Sequence, residues 1–392
     1  MSERRDAVIV EAVRSPVGRR GGTLSSVHPV DLSARVLQAL VERTGLDPAL
    51  IDDVIWGCVT QAGEQAGNIG RYAALAAGWP ETVPGTTVDR QCGSSQQAIS
   101  FAAASVMSGQ QDFVVAGGVE SMSRVPMGWA RINGPGSAFG PLVTSRYGTN
   151  EFNQGAGAEL LAYRGNFTRE ALDAYSLESH RRAAAAIDEG RFVREIEPIE
   201  TTGPDGSARL VDTDEGVRRD GTLERLAKLP TPFAIDGTVS AGNASQISDG
   251  AAALLITTSE IAKRHGLRTR ARLTAFSVIG DDPLAMLYAP IPATRMVLDR
   301  AGLQIGEIGT FEVNEAFASV NLTWLSEFGV PHHLVNPDGG AIALGHPMGG
   351  SGARLMTTML HRMEARGIRY GLQTMCEGGG TANATIIELS QV

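Results

Sequence analysis

The sequence predicts an α/β fold, and three observations predict it. Short apolar runs of buried-strand type, such as Ala7–Ala12 (AVIVEA) and Phe113–Ala116, alternate with helical stretches whose apolar residues recur every three or four positions. Glycine is abundant, 47 of 392 residues, and clusters where those runs end, as tight turns around a site require. There is also an internal repeat. Each half of the chain has a strand, a glycine-rich turn with one reactive side chain, a helix, and a strand ending in glycines.

Taken in order, Ala7–Ala12 is the first strand and Arg14–Gly22 a Pro/Gly/Arg loop. Pro29–Thr44 reads as a helix with Leu32, Val36, Leu37, Leu40 and Val41 on one face. Val54–Val59 is a second strand, and Asn68–Gly78 an alanine-rich helix closed by Gly78 and Pro80. The β-prone run Thr86–Val88 precedes Cys92 and Gly93. A helix follows on Ala98, Ile99, Ala102, Ala103 and Val106, with Gly109 as its stop. Phe113–Ala116 then runs into Gly117-Gly118. After Glu120 periodicity fades: Ser121–Gly155 is rich in Gly, Pro, Ser and Asn, Arg169–Glu189 is a long helix, and Ile196–Pro230 mixes acidic runs with Arg218, Arg219, Arg225 and Lys228. Glu120 to about Ser240 reads as an insertion of loops and helices. Strand composition returns at Ala251–Thr257, a helix follows near Glu260–His265, and alternation resumes from Ala271. Gly345–Gly352 opens a helix from Ala353 to about Ala365, and the strand Leu372–Met375 ends in Cys376 and Gly378–Gly380. Two such halves place both glycine-rich turns at one edge of adjoining sheets, where α/β folds bind ligands.

Length suggests two or three domains. A net charge of −9 argues against nucleic acid as the main partner, while leaving room for an anionic small molecule on a local basic patch. Three cysteines cannot build a disulfide framework and fit a reducing compartment. The N-terminal MSERRDAVIVEAVRSP lacks the apolar core of a signal peptide, no 18-residue apolar stretch exists, and the ELSQV end carries no lipidation or peroxisomal signal. A cytoplasmic protein without a membrane span is expected.

Cys92 lies between a strand and the first turn of a helix, where unpaired N–H groups and the helix dipole favour a thiolate. Such a site is expected to lower a thiol's pKa from about 8.5 by one or more units. The competing reading is a buried structural thiol. His346 lies in GGAIALGHPMGGSG, where six of fourteen residues are glycine, and can serve as general base for a cysteine; the alternative is a surface-loop histidine. Cys376, before Glu377 and Gly378–Gly380, can act as acid or base beside amides suited to an oxyanion, or be structural. Cys58, inside a strand pattern, reads as structural. Asn314 (NEAFA) can orient a water or oxyanion, or cap a helix. AGNAS at Ala241–Ser245 can lie along a thin flexible ligand. The arginine group near Arg218 is a solvated face or a phosphate site. No CxxC, HExxH or acidic triad has metal-ligand spacing, and no phosphate-binding glycine motif is complete.

Taken together, DRQCGSSQQA, AGNASQISDGAAA, NEAFAS, GGAIALGHPMGGSGAR and CEGGGTANA resemble the thiolase family, from about Ala7 to Glu388. The resemblance implies a thiolase fold of two similar βαβαβαββ halves forming a layered αβαβα core. The expected division is residues 1–119, completed by about 241–270, an inserted loop domain over 120–240, and a second half over 271–392. It implies a homodimer or homotetramer, coenzyme A and acyl-CoA thioesters as partners, and no permanently bound cofactor. It implies that Cys92 carries the acyl group as a thioester, that His346 activates it, and that Cys376 exchanges protons with the substrate α-carbon or the CoA thiol. Asn314 would hold a water that forms one oxyanion hole with His346; the amides of Cys92 and Gly378 would form the other. Ala244, Ser245, Ala316 and Phe317 would line the pantetheine channel, with Arg218 near the adenine end. The implied reaction is ping-pong thiolytic cleavage of a 3-ketoacyl-CoA, the reverse of a Claisen condensation. One departure stands out. Many biosynthetic acetoacetyl-CoA thiolases carry His-Met-Gly early in the loop domain, where this chain has Asn153-Gln154-Gly155. That disfavours a strictly C4 biosynthetic role, and the segments GCVTQAGEQAGNIGR and QCGSSQQA resemble thiolases of bacterial lipid and sterol side-chain breakdown. The alternatives are a biosynthetic acetyl-CoA C-acetyltransferase, a ketoacyl or HMG-CoA synthase-like enzyme, which would lack Cys376, and a non-catalytic acyl-CoA-binding protein.

Overall fold

A computed structural model describes residues 5–203 and 205–390. The last two residues of the ELSQV end and the first four of the N-terminus lie outside the described residues.

The first part of the chain runs β1 (Val8–Arg14), β2 (Gly18–Arg19), α1 (Pro29–Thr44), β3 (Asp53–Gly57), α2 (Ile69–Ala76), β4 (Thr86–Val88), α3 (Ser94–Ser108) and β5 (Val114–Ser121). An excursion follows through α4 (Trp129–Asn133), α5 (Pro141–Tyr147), α6 (Gln154–Arg164), α7 (Arg169–Asp188), the hairpin β6 (Ile199–Thr202) and β7 (Ala208–Val211), and α8 (Leu223–Leu226). The chain then returns as β8 (Ser248–Thr257), α9 (Ser259–Arg264), β9 (Ala271–Gly280), α10 (Pro290–Ala301), β10 (Thr310–Val313), α11 (Ala318–Phe328), α12 (Ala341–Leu344), α13 (Met348–Arg366), β11 (Tyr370–Glu377) and β12 (Thr381–Leu389).

Local chemistry sets these boundaries. In α1, Pro29 occupies the first turn, His28 Nδ1 accepts the Val30 N–H, and Gly45 closes the helix at φ 67°. The excursion is more helical than Ser121–Gly155 suggested, because α4 to α6 are short or weakly amphipathic and leave little periodic signal. Helix α13 begins at Met348, five residues before the expected start. Gly349, Gly350 and Gly352 oppose helix propensity, but packing that admits no side chain overrides it. Strand β3 ends at Gly57, so Cys58 is buried just beyond it.

The strand order is palindromic: β10-β11-β12-β9-β1-β8-β5-β3-β4, with β2 beside β8. In the first half β3 pairs in parallel with β4 and β5, and β8 runs antiparallel to β5 and β1. In the second, β10 and β11 are parallel, and β12 is antiparallel to β11 and β9. A single parallel bridge, Phe311 to Val335, stands where β4 would be. Within the sheet the halves join through β1 and β9, where two residue pairs, Val8–Arg272 and Ile9–Ala271, are formed among the described residues.

Three apolar clusters define five layers. Leu32, Leu37 and Leu40 of α1 and Ile69 of α2 cover one outer face around Trp56. Val297 of α10 and Trp324 of α11 cover the other around Phe311. Between the halves lie α3 and α13, with Ile99, Ala102, Met356 and Met359 packed among Ile9, Leu254 and Ile387. These two helices meet at backbone distance, since a Cβ on Gly352 would fall 2.3 Å from the Gln96 amide nitrogen, and α13 lies equally close on β5, where a Cβ on Gly349 would fall 2.3 Å from the Val119 carbonyl oxygen. Ser95 Oγ accepts the Ala353 N–H at 2.9 Å across the contact.

This contact generates a prediction. Gly352→Ala is expected to lower unfolding free energy by roughly 1–3 kcal/mol, the usual effect of overpacking, despite alanine's better helix propensity. Denaturant unfolding checks it; an unchanged or raised stability would show that the helices can part without loss.

Candidate active site

Both central helices start at the sheet edge where β10 and β11 end. Cys92 lies two residues before α3, and His346 two residues before α13. Asn314 follows β10, and Cys376 is the penultimate residue of β11. All four are buried, none more than 5% exposed. The turns that hold them are unusual. Gln91, just before Cys92, is a non-glycine residue at φ 49°, in the left-handed region. Gly345, before His346, has φ 106°, and a Cβ there would come 2.2 Å from Ser248 Oγ. That hydroxyl and the Gln246 carbonyl accept the His346 N–H, fixing the backbone below the ring.

The hydrogen bonds bear on which nitrogen of His346 carries the free lone pair. Ser351 Oγ donates its one proton to the Pro347 carbonyl at 2.9 Å. It lies 2.6 Å from His346 Nδ1, and with its proton on the Pro347 carbonyl it accepts there, the arrangement that puts the ring proton on Nδ1 and the lone pair on Nε2. Asn314 Nδ2 lies 3.5 Å from Nε2, and its Oδ1 has no hydrogen-bond partner among the described residues. The Asn314 amide N–H in turn donates to Thr374 on β11.

Electrostatics correct one expectation. Burial pushes the Cys92 thiol up to about 12, with Glu377 adding to the rise and the Gln154 side chain opposing it. Loss of solvation outweighs the helix terminus that was expected to lower it. Burial, with the charge of Arg354 adding to it, holds His346 down to about 3. Cys376 is held well above its ordinary value by burial and by its neighbours Cys92 and Glu377. The resting site is therefore a neutral thiol and a neutral imidazole, and a thiolate forms only as its proton moves to a base.

The residues expected along a ligand channel come together. Ala244 bridges Phe317, and the Ser245 N–H donates to the Ala316 carbonyl at 2.9 Å. Ala316, Phe317 and Cys376 share one apolar cluster. Gly378 faces the Cys92 turn, since a Cβ on it would come 2.9 Å from Gln91 Oε1. Arg218 lies in a separate cleft of about 520 Å³ between α7 and residues 218–223, with Arg181, Arg219 and His180 on its walls. Arg219 pairs with Asp188 and Arg225 with Asp220. Asn153 caps α6, Gln154 lies against the Cys92 sulfur, and Gly155 packs on the Phe233 ring. Ser351, Ser248 and Glu377 went unassigned in the sequence. For Ser351 a signal existed, a hydroxyl in the first turn of the helix that His346 precedes; for Ser248 there was none.

Two thiols, an imidazole with a free nitrogen and an amide side chain, all buried where the two central helices begin, form a set of groups suited to acyl transfer through a covalent thioester. Comparison with known proteins agrees. Residues 7–260 match the family described as thiolase, N-terminal domain, and residues 267–389 match thiolase, C-terminal domain. The chain is 53% identical to the steroid 3-ketoacyl-CoA thiolase FadA6 of Mycobacterium tuberculosis, over 98% of this chain and 94% of that protein. It is 45% identical to a 3-ketoacyl-CoA thiolase of Erwinia tasmaniensis, over 97% and 98% of the two chains. The crystal structure of the Bacillus anthracis acetyl-CoA acetyltransferase superposes with a TM-score of 0.91 at 38% identity, covering 99% of both chains. The chain belongs to the thiolase family. It is an acyltransferase of that family, with its mixed α/β fold.

Ser351→Ala should release the tautomer lock and lower kcat/KM by roughly ten- to a hundredfold, while the fold persists. Steady-state kinetics with a melting curve check it; unchanged kinetics would remove Ser351 from the site.

Proposed function

We propose that this chain is a degradative 3-ketoacyl-CoA thiolase acting on acyl groups bulkier than acetoacetyl, including sterol side-chain thioesters. The observation that carries the reading is that Cys92 lies beside Cys376 and His346 beside Asn314, all four buried at the starts of the two central helices and the ends of the strands next to them. In the first half-reaction Cys92 Sγ attacks C3 of the 3-ketoacyl-CoA while its proton passes to His346 Nε2. The C3 oxyanion is held by the amides of Cys92 and Gly378 or by a water on Asn314 with His346. The C2–C3 bond breaks, Cys376 gives its proton to the acetyl-CoA carbanion, and the acyl group remains on Cys92. In the second, Cys376 as thiolate takes the proton of a CoA thiol, whose sulfur attacks the thioester. The shortened acyl-CoA leaves, and His346 returns the proton to Cys92. Losing one oxyanion donor from such a site typically costs about 10²–10³ in rate.

Coenzyme A is a co-substrate. Its pantetheine arm would run past Ala244, Ser245, Ala316 and Phe317, toward an adenine end near the cleft of Arg218 and Arg181. The degradative reading is supported by Gln154 beside the nucleophile and by the similarity to a steroid thiolase. The similarity to an acetyl-CoA acetyltransferase supports the alternative, acetoacetyl-CoA formation or cleavage. The palindromic sheet supports the division into 1–119 with about 241–270, the insertion 120–240, and 271–392. Assembly as a homodimer or homotetramer is supported by β4, a sheet-edge strand, and by Trp129, Ile132 and Leu142, exposed on the excursion. Three buried, unpaired cysteines accord with a cytoplasmic setting, and no helix among the described residues is long and apolar enough to cross a membrane.

Thiolytic kcat/KM measured with CoA, from acetoacetyl-CoA to long-chain and steroid side-chain 3-ketoacyl-CoAs, is expected to rise toward the bulky substrates. A strong preference for acetoacetyl-CoA would favour the alternative, and no turnover by folded protein would sink both. Incubation with acyl-CoA should add the acyl mass to the Cys92 peptide, and Cys92→Ser should abolish it. Labelling of Cys58 instead would overturn the assignment. Cys376→Ala should block α-proton exchange of acetyl-CoA while some acylation persists.

A further inference from the structure

The palindrome pairs two buried carboxyls that the mechanism does not use. Val114 of β5 lies opposite Asp53, the first residue of β3, and Gly371 of β11 lies opposite Thr310, the first of β10. Six residues further along each strand stand Glu120 and Glu377, both fully buried. Glu120 serves the helix of His346: it accepts the Gly349 N–H in the first turn of α13, those of Val59 and Thr60, and the Gln65 side-chain amide. Both of its oxygens are satisfied.

Glu377 holds the matching place beneath the helix of Cys92, and its surroundings differ. The Thr381 hydroxyl lies 2.7 Å from Oε2, while Oε1 has no partner among the described residues. That oxygen presses against the turn next to the nucleophile: a Cβ on Gly93 would fall 2.0 Å from it. Asn383 Nδ2 donates to the Gly93 carbonyl at 3.1 Å and holds the turn in place. Both thiols feel this carboxyl, Cys92 ahead of it in the turn and Cys376 beside it on the strand. The other charged groups facing it are Arg90 and Asp89, from the segment between β4 and α3, with opposite effects. A fully buried carboxyl with one oxygen unpaired is poorly built to hold a charge, and a negative charge there repels a thiolate a few ångströms away.

We propose that Glu377 is a positioning residue that controls charge at the nucleophile: it must keep its proton for the Cys92 thiolate to form readily, and its ionisation holds Cys92 in the thiol form. Burial pushes the Glu377 carboxyl up to about 8, against Thr381 and Arg90 and with Asp89. The carboxyl is thus neutral at neutral pH and ionises above it, which sets an alkaline limit on thiolate formation. Because the Thr381 hydroxyl favours the ionised form, Thr381→Val should move that limit to higher pH.

The test is the rate of Cys92 alkylation by iodoacetamide in the whole protein from pH 6 to 10, with the modified peptide located by mass. Glu377→Gln and wild type should match below about pH 7, and the variant should react up to about tenfold faster above pH 9, the size of a one-unit change in thiol pKa. Thr381→Val should follow wild type at neutral pH and then rise above it, its lag displaced upward. Superimposable profiles overturn the proposal, as does a constant factor between variant and wild type at every pH, which would mark a structural role. If Glu377→Gln does not fold, Thr381→Val decides alone. The proposal rests on Cys92 being the nucleophile. Loss of the Glu377 effect with thiolytic turnover intact overturns only this proposal, whereas a Cys92 that never reacts overturns the reading beneath it.

Discussion

The structure depends on the close approach of two buried helices to each other and to the ends of the strands beside them. Helix α13 can lie on β5 only because Gly118 and Gly349 bring backbone against backbone, with 2.1 Å from a Cβ on Gly118 to the Gly349 carbonyl oxygen. It meets α3 through Gly352 and Ser95. Any side chain at these points would separate the helix starts, and those starts carry Cys92 and His346. Apolar burial on both flanks of the helix pair then holds the contact shut.

The same burial dictates the chemistry. A thiol and an imidazole removed from water are each most stable uncharged, and the buried Arg354 guanidinium reinforces the neutral ring. A permanent thiolate–imidazolium pair would need solvation that this pocket lacks. In the proposed reaction charge develops when a substrate carbonyl brings its own dipole, and donors held in fixed turns need no reorganisation to meet it. Ser351 matters in this setting because a neutral histidine has two tautomers and only one leaves its lone pair on Nε2, while Ser248 holds the His346 backbone in place.

Much of this was legible in the sequence, for identifiable reasons. Helix α1 matches its expected bounds because Pro29, a one-sided apolar stripe and Gly45 all mark them. Strand β4 and the start of the Cys92 helix were readable from Thr86–Val88 and Gly93. The first turn of α13 was not, since its glycines signal a loop locally and a close contact only in three dimensions. Helices α4 and α5 have no buried residue to create a period. At the site, residue types suggested Cys92, His346, Cys376 and Asn314, but the direction of the thiol's shift was misjudged. A helix terminus is visible in sequence, whereas the depth at which it is buried is not. Glu377 escaped notice because its meaning lies in what surrounds it, an unpaired oxygen against Gly93, rather than in its own type.

The palindromic sheet has a consequence for how such a site could arise. Cys92 and His346 stand at the same place in two copies of one unit, each two residues before the corresponding helix. Two identical units related by a strict twofold axis would carry the same residue at both places, either two nucleophiles or two bases. Linking the copies in one chain, here by the segment from β8 through α9 to β9, lets each position diverge by itself. The unlike pair that the proposed acyl transfer uses is therefore a broken symmetry, available to a tandem duplication and closed to a symmetric dimer of half-size chains.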